Sequence, residues 1–97
     1  MIQLQIQTDA QDIALDLIRS AISAEVNRLE LGVRATERQI QTFEKKYNVT
    51  SDLFLRDYAA EDLIDGDTEY ITWAGELVLR QRIMAQLETL KGIQYAA

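Results

Sequence analysis

The residues best equipped for chemistry in this sequence are carboxylates crowded into one short segment. Residues 49–70 contain seven Asp and Glu side chains and one arginine, so this segment alone carries as much net charge as the whole chain, −6. We call residues 49–70 the acidic elbow. Clustered carboxylates can coordinate Ca²⁺, act as a general acid and base, or attract a basic partner. The spacing of the residues has to decide among these three uses.

The spacing in the acidic elbow disfavours a calcium loop and acid–base catalysis. Ca²⁺ loops place oxygen ligands at alternating positions, whereas Leu63 and Ile64 stand where ligands would be needed. Carboxylates spaced along a solvated surface stay ionised at pH 7 and make poor general acids. We therefore expect no metal and no cofactor here, and interpret the elbow as a solvated connector or an acidic docking surface. The predicted partner-binding residues are Asp57, Glu61, Asp62, Asp65 and Asp67.

Missing residue types narrow the function further. The chain contains no cysteine and no histidine, which removes thiolate nucleophiles, zinc–thiolate sites and the most common base near neutral pH. Its four glycines are far apart, so they cannot form a phosphate-binding loop. These absences predict a protein without catalytic residues, and hence not an enzyme.

The first residues alternate between apolar and glutamine side chains over 2–7. Strict alternation predicts a short strand. No second strand of comparable quality follows, so we expect this strand either to pair with another chain or to remain a frayed arm. A strand followed by a helix is also typical of ribbon-helix-helix DNA-binding proteins, but here the helical pattern continues past Leu29 without the turn that those proteins need.

The longest periodic pattern predicts a helix over residues 9–47. Thr8 and Gln11 fit a capping box at its start. Gly32 is its weak point, costing about 1 kcal/mol relative to alanine, and we interpret it as a close helix crossing. Apolar side chains recur along this helix at spacings of three, four and seven: Leu15, Ile18, Ile22, Val26, Leu29, Val33, Ile40, Phe43 and Tyr47.

The first half of this helix is apolar on more than one side, whereas the second half has a single apolar seam. A helix that is apolar on two sides needs neighbours on both. We therefore expect a second copy of the chain to pack on the first half. The predicted dimer-interface residues are Ile13, Leu17, Ile18, Ile22 and Val26.

Two further helices complete the pattern. Asn48 suits a left-handed helix end, and Thr50 is the predicted cap of a short helix over 50–63. The turn at 65–67 precedes a third helix over 67–91, which is long enough to fold back along the second half of the first helix. We expect Trp73 to pack in the core at the closed end of this hairpin, among the aromatic side chains Phe43, Tyr47, Phe54 and Tyr58.

Together these patterns predict one all-α domain over residues 1–97. It is a long helical hairpin with a short intervening helix and a short β-strand or arm over 1–8, dimerising into a helical bundle. No apolar run is long enough to span a membrane and no signal peptide is evident, so we expect a cytoplasmic protein. Basic residues of the first helix alternate with glutamates, which disfavours nucleic-acid binding: Arg34, Arg38, Lys45 and Lys46 with Glu37 and Glu44.

The segments RLELGVRATERQIQTFEKKYNVTSDLFLRDY, Asp65-Gly66-Asp67 and EYITWAGEL resemble a family of small prokaryotic proteins. Its members read as a long helix ending in FE-x-x-Y-G, a short Ser-capped helix with a Phe, an acidic turn and an E-W-A helix. The resemblance covers residues 28–91, and this chain has Asn48 where the family pattern has Gly. Many members are encoded beside a small partner, as in toxin–antitoxin modules, which implies an antitoxin.

The resemblance and the charge pattern lead to the same leading hypothesis. We expect an antitoxin that neutralises a basic toxin by direct binding, with the acidic elbow on the toxin surface. The alternative is a homo-oligomeric structural adaptor or assembly chaperone built from the same helices. The gene beside this one separates the two, since a small basic toxic product supports the first and an assembly or enzyme subunit supports the second.

Overall fold

A computed structural model describes the backbone of residues 2–96 and the side chains of residues 2–94. The elements follow the order strand β1 (Ile2–Gln5), helix α1 (Gln11–Tyr47), helix α2 (Ser51–Asp57), a 3₁₀ turn (Ala60–Asp62), helix α3 (Gly66–Lys91) and strand β2 (Ile93–Ala96). The prediction of an all-α hairpin with a short intervening helix and a short N-terminal strand is confirmed. Dimerisation into a helical bundle stays a prediction.

Helix α1 is the longest element, with 37 residues. It begins at Gln11, two residues after the predicted start at Asp9, and its N-cap Ala10 has no side-chain hydrogen bond, so the predicted capping box of Thr8 and Gln11 is wrong. The side-chain amide of Gln11 donates instead to the carbonyl oxygen of Ile6 at 3.1 Å. The helix ends as predicted: Asn48 has φ 54° and ψ 43°, a left-handed conformation that an asparagine tolerates well.

Helix α2 is shorter than predicted. The hydroxyl of its cap, Thr50, accepts from the backbone N–H of Leu53 at 3.2 Å, as expected. The helix stops at Asp57 and not near Leu63, because Tyr58 already has an extended backbone. A single 3₁₀ turn then leads to Gly66, which begins α3 one residue before the predicted start and has φ +44°. A side chain at that φ would be strained.

Helix α3 runs antiparallel to α1. Near the closed end Trp73 stacks on Phe43, and farther along Ile83 and Leu87 pack with Leu29. A Cβ atom built on Gly32 would lie 3.3 Å from Cδ1 of Ile83, so Gly32 lies at a close helix crossing, as predicted. Because α3 has 26 residues and α1 has 37, the first turns of α1 extend beyond it.

The two short strands form a parallel pair in which Ile2 lies opposite Ile93 and Gln5 opposite Ala96. The prediction that β1 pairs with another chain or stays frayed is therefore wrong, because the segment after α3 supplies its neighbour. Ile6, which follows β1, is buried. The molecule measures 61 × 20 × 18 Å, and within the described residues no helix combines the length and apolarity needed to cross a membrane.

Candidate partner-binding site

The closed end of the hairpin is built on an aromatic core. Trp73 and Phe54 are completely buried, and their rings stack in parallel with centroids 3.9 Å apart. Phe43 and Tyr47 of α1 stack on the same indole. This cluster joins all three helices, because its rings come from each of them. The prediction that Trp73 is a core residue is confirmed.

A polar network ties α2 to this core. The indole N–H of Trp73 donates to the hydroxyl of Ser51 at 2.9 Å. Ser51 in turn donates its backbone N–H and its hydroxyl to one carboxylate oxygen of Glu44, at 2.8 and 2.9 Å. Glu44 thus accepts a free N–H at the start of α2, where a negative charge is favourable. The sequence indicated Glu44 only as a solvated residue on α1.

Glu69 forms a second set of hydrogen bonds at this end, which links α3 to α1 and to the segment before α3. Its side chain is 9% exposed and accepts from the ammonium of Lys46 at 2.6 Å, from the hydroxyl of Tyr47 and from the backbone N–H of Asp65 at 2.7 Å. The same Tyr47 hydroxyl accepts from the backbone N–H of Ile64 at 2.8 Å. Two consecutive backbone N–H groups of the connector between α2 and α3 are therefore held, that of Ile64 by Tyr47 of α1 and that of Asp65 by Glu69 of α3.

These contacts shift the ionisation of the network. The hydrogen bonds from Lys46, from Tyr47 and from the backbone of Asp65 lower the pKa of Glu69 to about 2. The hydrogen bond to Glu69 raises the pKa of Lys46. The pKa of Tyr47 is also raised, mainly by burial and then by its hydrogen bond to Glu69. Glu69 was counted in the acidic elbow from its sequence position. In the structure Glu69 is buried and forms an ion pair with Lys46. It therefore does not contribute to the exposed acidic surface.

The five predicted partner-binding carboxylates do lie on the surface, grouped on the connector and the adjoining helix ends. Two of them also have local contacts: Asp57 pairs weakly with Arg56 at 3.3 Å, and Asp62 accepts from the backbone N–H of Ala59 at 2.8 Å. All five are exposed, namely Asp57, Glu61, Asp62, Asp65 and Asp67. The structure thus presents them together at one end of an elongated molecule.

Ile64 is an exposed apolar residue among these carboxylates that the sequence reasoning did not single out as a candidate. Its side chain is 81% exposed although it lies between Asp62 and Asp65. The sequence marked it only as a residue unable to bind calcium. The sequence did contain a signal for it, since an isoleucine flanked by carboxylates in a turn has little prospect of being buried and so does not stabilise the fold. Its backbone N–H donates to the hydroxyl of Tyr47, which fixes the point on the backbone from which the side chain projects.

The five predicted dimer-interface residues are divided by the structure. Ile13 and Leu17 are 65% and 66% exposed, whereas Ile18 and Ile22 are half-buried. Val26 is half-buried and packs against the core cluster of Leu29, Ile83 and Leu87, and its assignment to an interface between copies stays a prediction. Helical periodicity places Ile13 and Leu17 on one side of the helix and the other three on the opposite side, but it does not show which side a second copy covers.

The described residues contain no group of three or more Asp, Glu, His or Cys side chains arranged to hold a metal ion. Comparison of the chain with protein-family models, with curated proteins and with solved structures gave no match. The function is therefore inferred from the chain's own surfaces.

Proposed function

We propose that this protein is a non-catalytic protein-binding module whose acidic end docks on a basic protein partner. The observation that carries the proposal is the combination at the closed end of five exposed carboxylates with the exposed side chain of Ile64 on a rigid support. Protein interfaces commonly place an apolar anchor inside a polar rim. Here Ile64 is the anchor and the carboxylates are the rim.

Charge supports a basic partner. Glu69 is neutralised by Lys46 and does not count toward the exposed charge of the elbow. The other six carboxylates of the elbow are exposed, and Arg56 is its only basic residue. Like charges so close together repel one another, and a basic surface relieves that repulsion on binding. Nucleic acid, which is an anion, is disfavoured at this end for the same reason.

Rigidity supports recognition at this end. The Tyr47 hydroxyl and the Glu69 carboxylate hold the backbone of Ile64 and Asp65, and the aromatic core lies beneath them. A surface that is already ordered loses less conformational entropy on binding. In the form that the family resemblance implies, the partner is a toxin and this protein is its antitoxin.

The test uses the product of the adjacent gene, purified with this protein after co-expression. We expect the neutralised variant D57N/E61Q/D62N/D65N/D67N to bind at least tenfold more weakly, with affinity that responds less to salt, because screening acts on exposed charges. The control D9N/D12N/E37Q/E76Q/E88Q removes the same number of carboxylates outside the elbow. It should keep both affinity and salt response.

A second variant separates the anchor from the rim. Ile64→Ala should weaken binding without changing its dependence on salt, while Val78→Ala, an exposed apolar residue of α3, should have no effect. Equal affinity of the wild type and the neutralised variant would contradict the proposed docking surface. If the neighbouring protein stops the growth of cells that express it, and co-expression of this protein restores growth, the partner is a toxin and this protein is its antitoxin.

A homo-oligomeric adaptor or assembly chaperone is the second candidate. The apolar side chains exposed on α1, Ile13, Leu17 and Leu31, favour it, because self-association is the simplest way to cover them. If the adjacent gene encodes an assembly or enzyme subunit that binds the protein without toxicity, this second function replaces the first.

A further inference from the structure

The outer side of α1 carries an apolar stripe that α3 does not cover. Leu17 and Leu31 are 66% and 61% exposed, Ile13 is 65% exposed, and Ala24 and Ala35 are exposed as well. Heptad and four-residue spacing places all five on one side of the helix, away from the core residues Leu29 and Ile40. We call these five residues the outer stripe.

The spacing of the outer stripe is symmetric. Leu17 and Leu31 lie about two turns on either side of Ala24, and Ile13 and Ala35 lie about three turns on either side. A twofold axis through Ala24 therefore brings Leu17 of one copy onto Leu31 of another, and Ile13 onto Ala35. Such a self-complementary patch is the requirement for an isologous dimer.

Charges beside the outer stripe have the matching arrangement. On one flank Asp16 precedes Ala24, while Arg34 follows it at a similar distance along the helix. An antiparallel pair sets Asp16 of each copy beside Arg34 of the other. In a parallel pair the twofold axis runs along the helices, so Asp16 of one copy and Arg34 of the other would lie on opposite sides of the pair and could not meet. Neither Asp16 nor Arg34 has an ion-pair partner within the described part of the chain.

The solvent-accessible surface area of the chain is larger than expected for a monomer, which supports association with a partner. It exposes 6975 Å², whereas a compact folded monomer of 11.1 kDa is expected to expose about 5,700 Å². The excess, roughly 1,300 Å², is comparable to the surface that a standard protein interface buries. An apolar stripe on the outside of the longest helix is the natural place for a second copy to bury it.

We propose that two copies of this chain associate through the outer stripes of α1, antiparallel, about a twofold axis at Ala24. The interface uses Ile13, Leu17 and Leu31, and leaves the half-buried Ile18 and Ile22 on the inner side of the helix. It is independent of the acidic elbow, so the proposal does not rest on the proposed function. Failure of partner binding would leave it unchanged.

The first test is the mass in solution, by light scattering at tens of micromolar. We expect twice 11.1 kDa for the wild type and a single-chain mass for Leu17→Asp and Leu31→Asp, with unchanged helical circular dichroism. Val78→Asp, an equally exposed apolar residue on α3, should remain dimeric. A monomeric wild type, or dissociation by Val78→Asp and not by Leu17→Asp, overturns the proposal.

Cysteine pairing tests the orientation, because the natural chain has no cysteine. Ala24→Cys should form a disulfide with its own copy, whereas Ser23→Cys, which points about 100° away around the helix, should not. A mixture of Leu17→Cys and Leu31→Cys should give the mixed disulfide in large excess over either self-disulfide. Predominant self-disulfides of Leu17→Cys and Leu31→Cys would show a parallel pair and overturn the proposal.

Charge exchange gives a readout that does not depend on apolar packing. Asp16→Arg or Arg34→Asp should each weaken the dimer several-fold, because each places like charges together. The double variant D16R/R34D should restore most of the affinity, since every pair is then opposite again. A double variant no tighter than the singles contradicts the antiparallel register.

Discussion

One buried carboxylate, Glu69, connects three segments of the chain at the closed end. It accepts hydrogen bonds from Lys46 and Tyr47 of α1 and from the backbone of the connector at Asp65. Protonation would remove its charge and one of its acceptor positions. The acid sensitivity of the fold should therefore be concentrated in this residue.

The pH dependence follows from the direction of the shift. The pKa of Glu69 is lowered from 4.5 to about 2 in the folded protein, so its ionised form stabilises folding. That contribution is fully present above about pH 4.5 and is lost as the pH falls toward 2. We expect Glu69→Gln to lower Tm at pH 7, and the difference from the wild type to shrink steadily between pH 4.5 and 2.

Thermal unfolding followed by circular dichroism across this range is the measurement. Glu88→Gln, at an exposed position on α3, is the matched control and should follow the wild type at every pH. A difference between the wild type and Glu69→Gln that is as large at pH 2.5 as at pH 7 would show that Glu69 contributes through shape and not through charge.

At the scale of elements, α2 is attached to the core by the apolar side chain of Phe54 in addition to the hydrogen bonds of Ser51. Phe54 is completely buried against Trp73, whereas the next residue, Leu55, is 51% exposed. Phe54→Ala should therefore lower the free energy of unfolding by about 3–5 kcal/mol, the usual range for a large buried aromatic. Leu55→Ala should change it by less than about 0.5 kcal/mol. Urea unfolding monitored by Trp73 fluorescence compares them directly.

Two glycines inside helices give a second matched pair. A Cβ atom on Gly75 would meet nothing within 4 Å, whereas one on Gly32 would lie 3.3 Å from Cδ1 of Ile83. Alanine in an open helix position gains about 1 kcal/mol over glycine. Gly75→Ala should gain about this amount in urea unfolding, and Gly32→Ala less, because Ile83 must shift. A larger gain for Gly32→Ala would contradict the close crossing.

The elements that the sequence predicts well are those set by local periodicity. The ends of α1 and α3 fall within two residues of prediction, and Asn48 and Thr50 act as expected. Strand β2 was not foreseen, because Ile93–Ala96 becomes a strand through pairing with residues far away in the sequence. Glu69 looked like an ordinary first-turn acid for the same reason, since Lys46 and Tyr47 reach it from another helix.

At the scale of the whole molecule, the main feature is its elongated shape. The radius of gyration is 19.2 Å, whereas a compact domain of this length is expected near 12.5 Å, an approximate figure. In the proposed antiparallel dimer the two acidic elbows point in opposite directions. Each lies about 35 Å along α1 from the twofold axis at Ala24, so the elbows are roughly 70 Å apart. A dimer would therefore bind two basic partners independently, without contact between them.

The parallel strand pair joins segments that a ribosome makes at very different times. Ile2 pairs with Ile93, nearly the greatest sequence separation available, so closing this contact orders a very long loop. During synthesis β1 and the apolar sides of α1 emerge long before α3 and β2 can cover them. The nascent chain consequently spends most of its translation time with its apolar surface open, when a second nascent copy or a chaperone has the best opportunity to bind it.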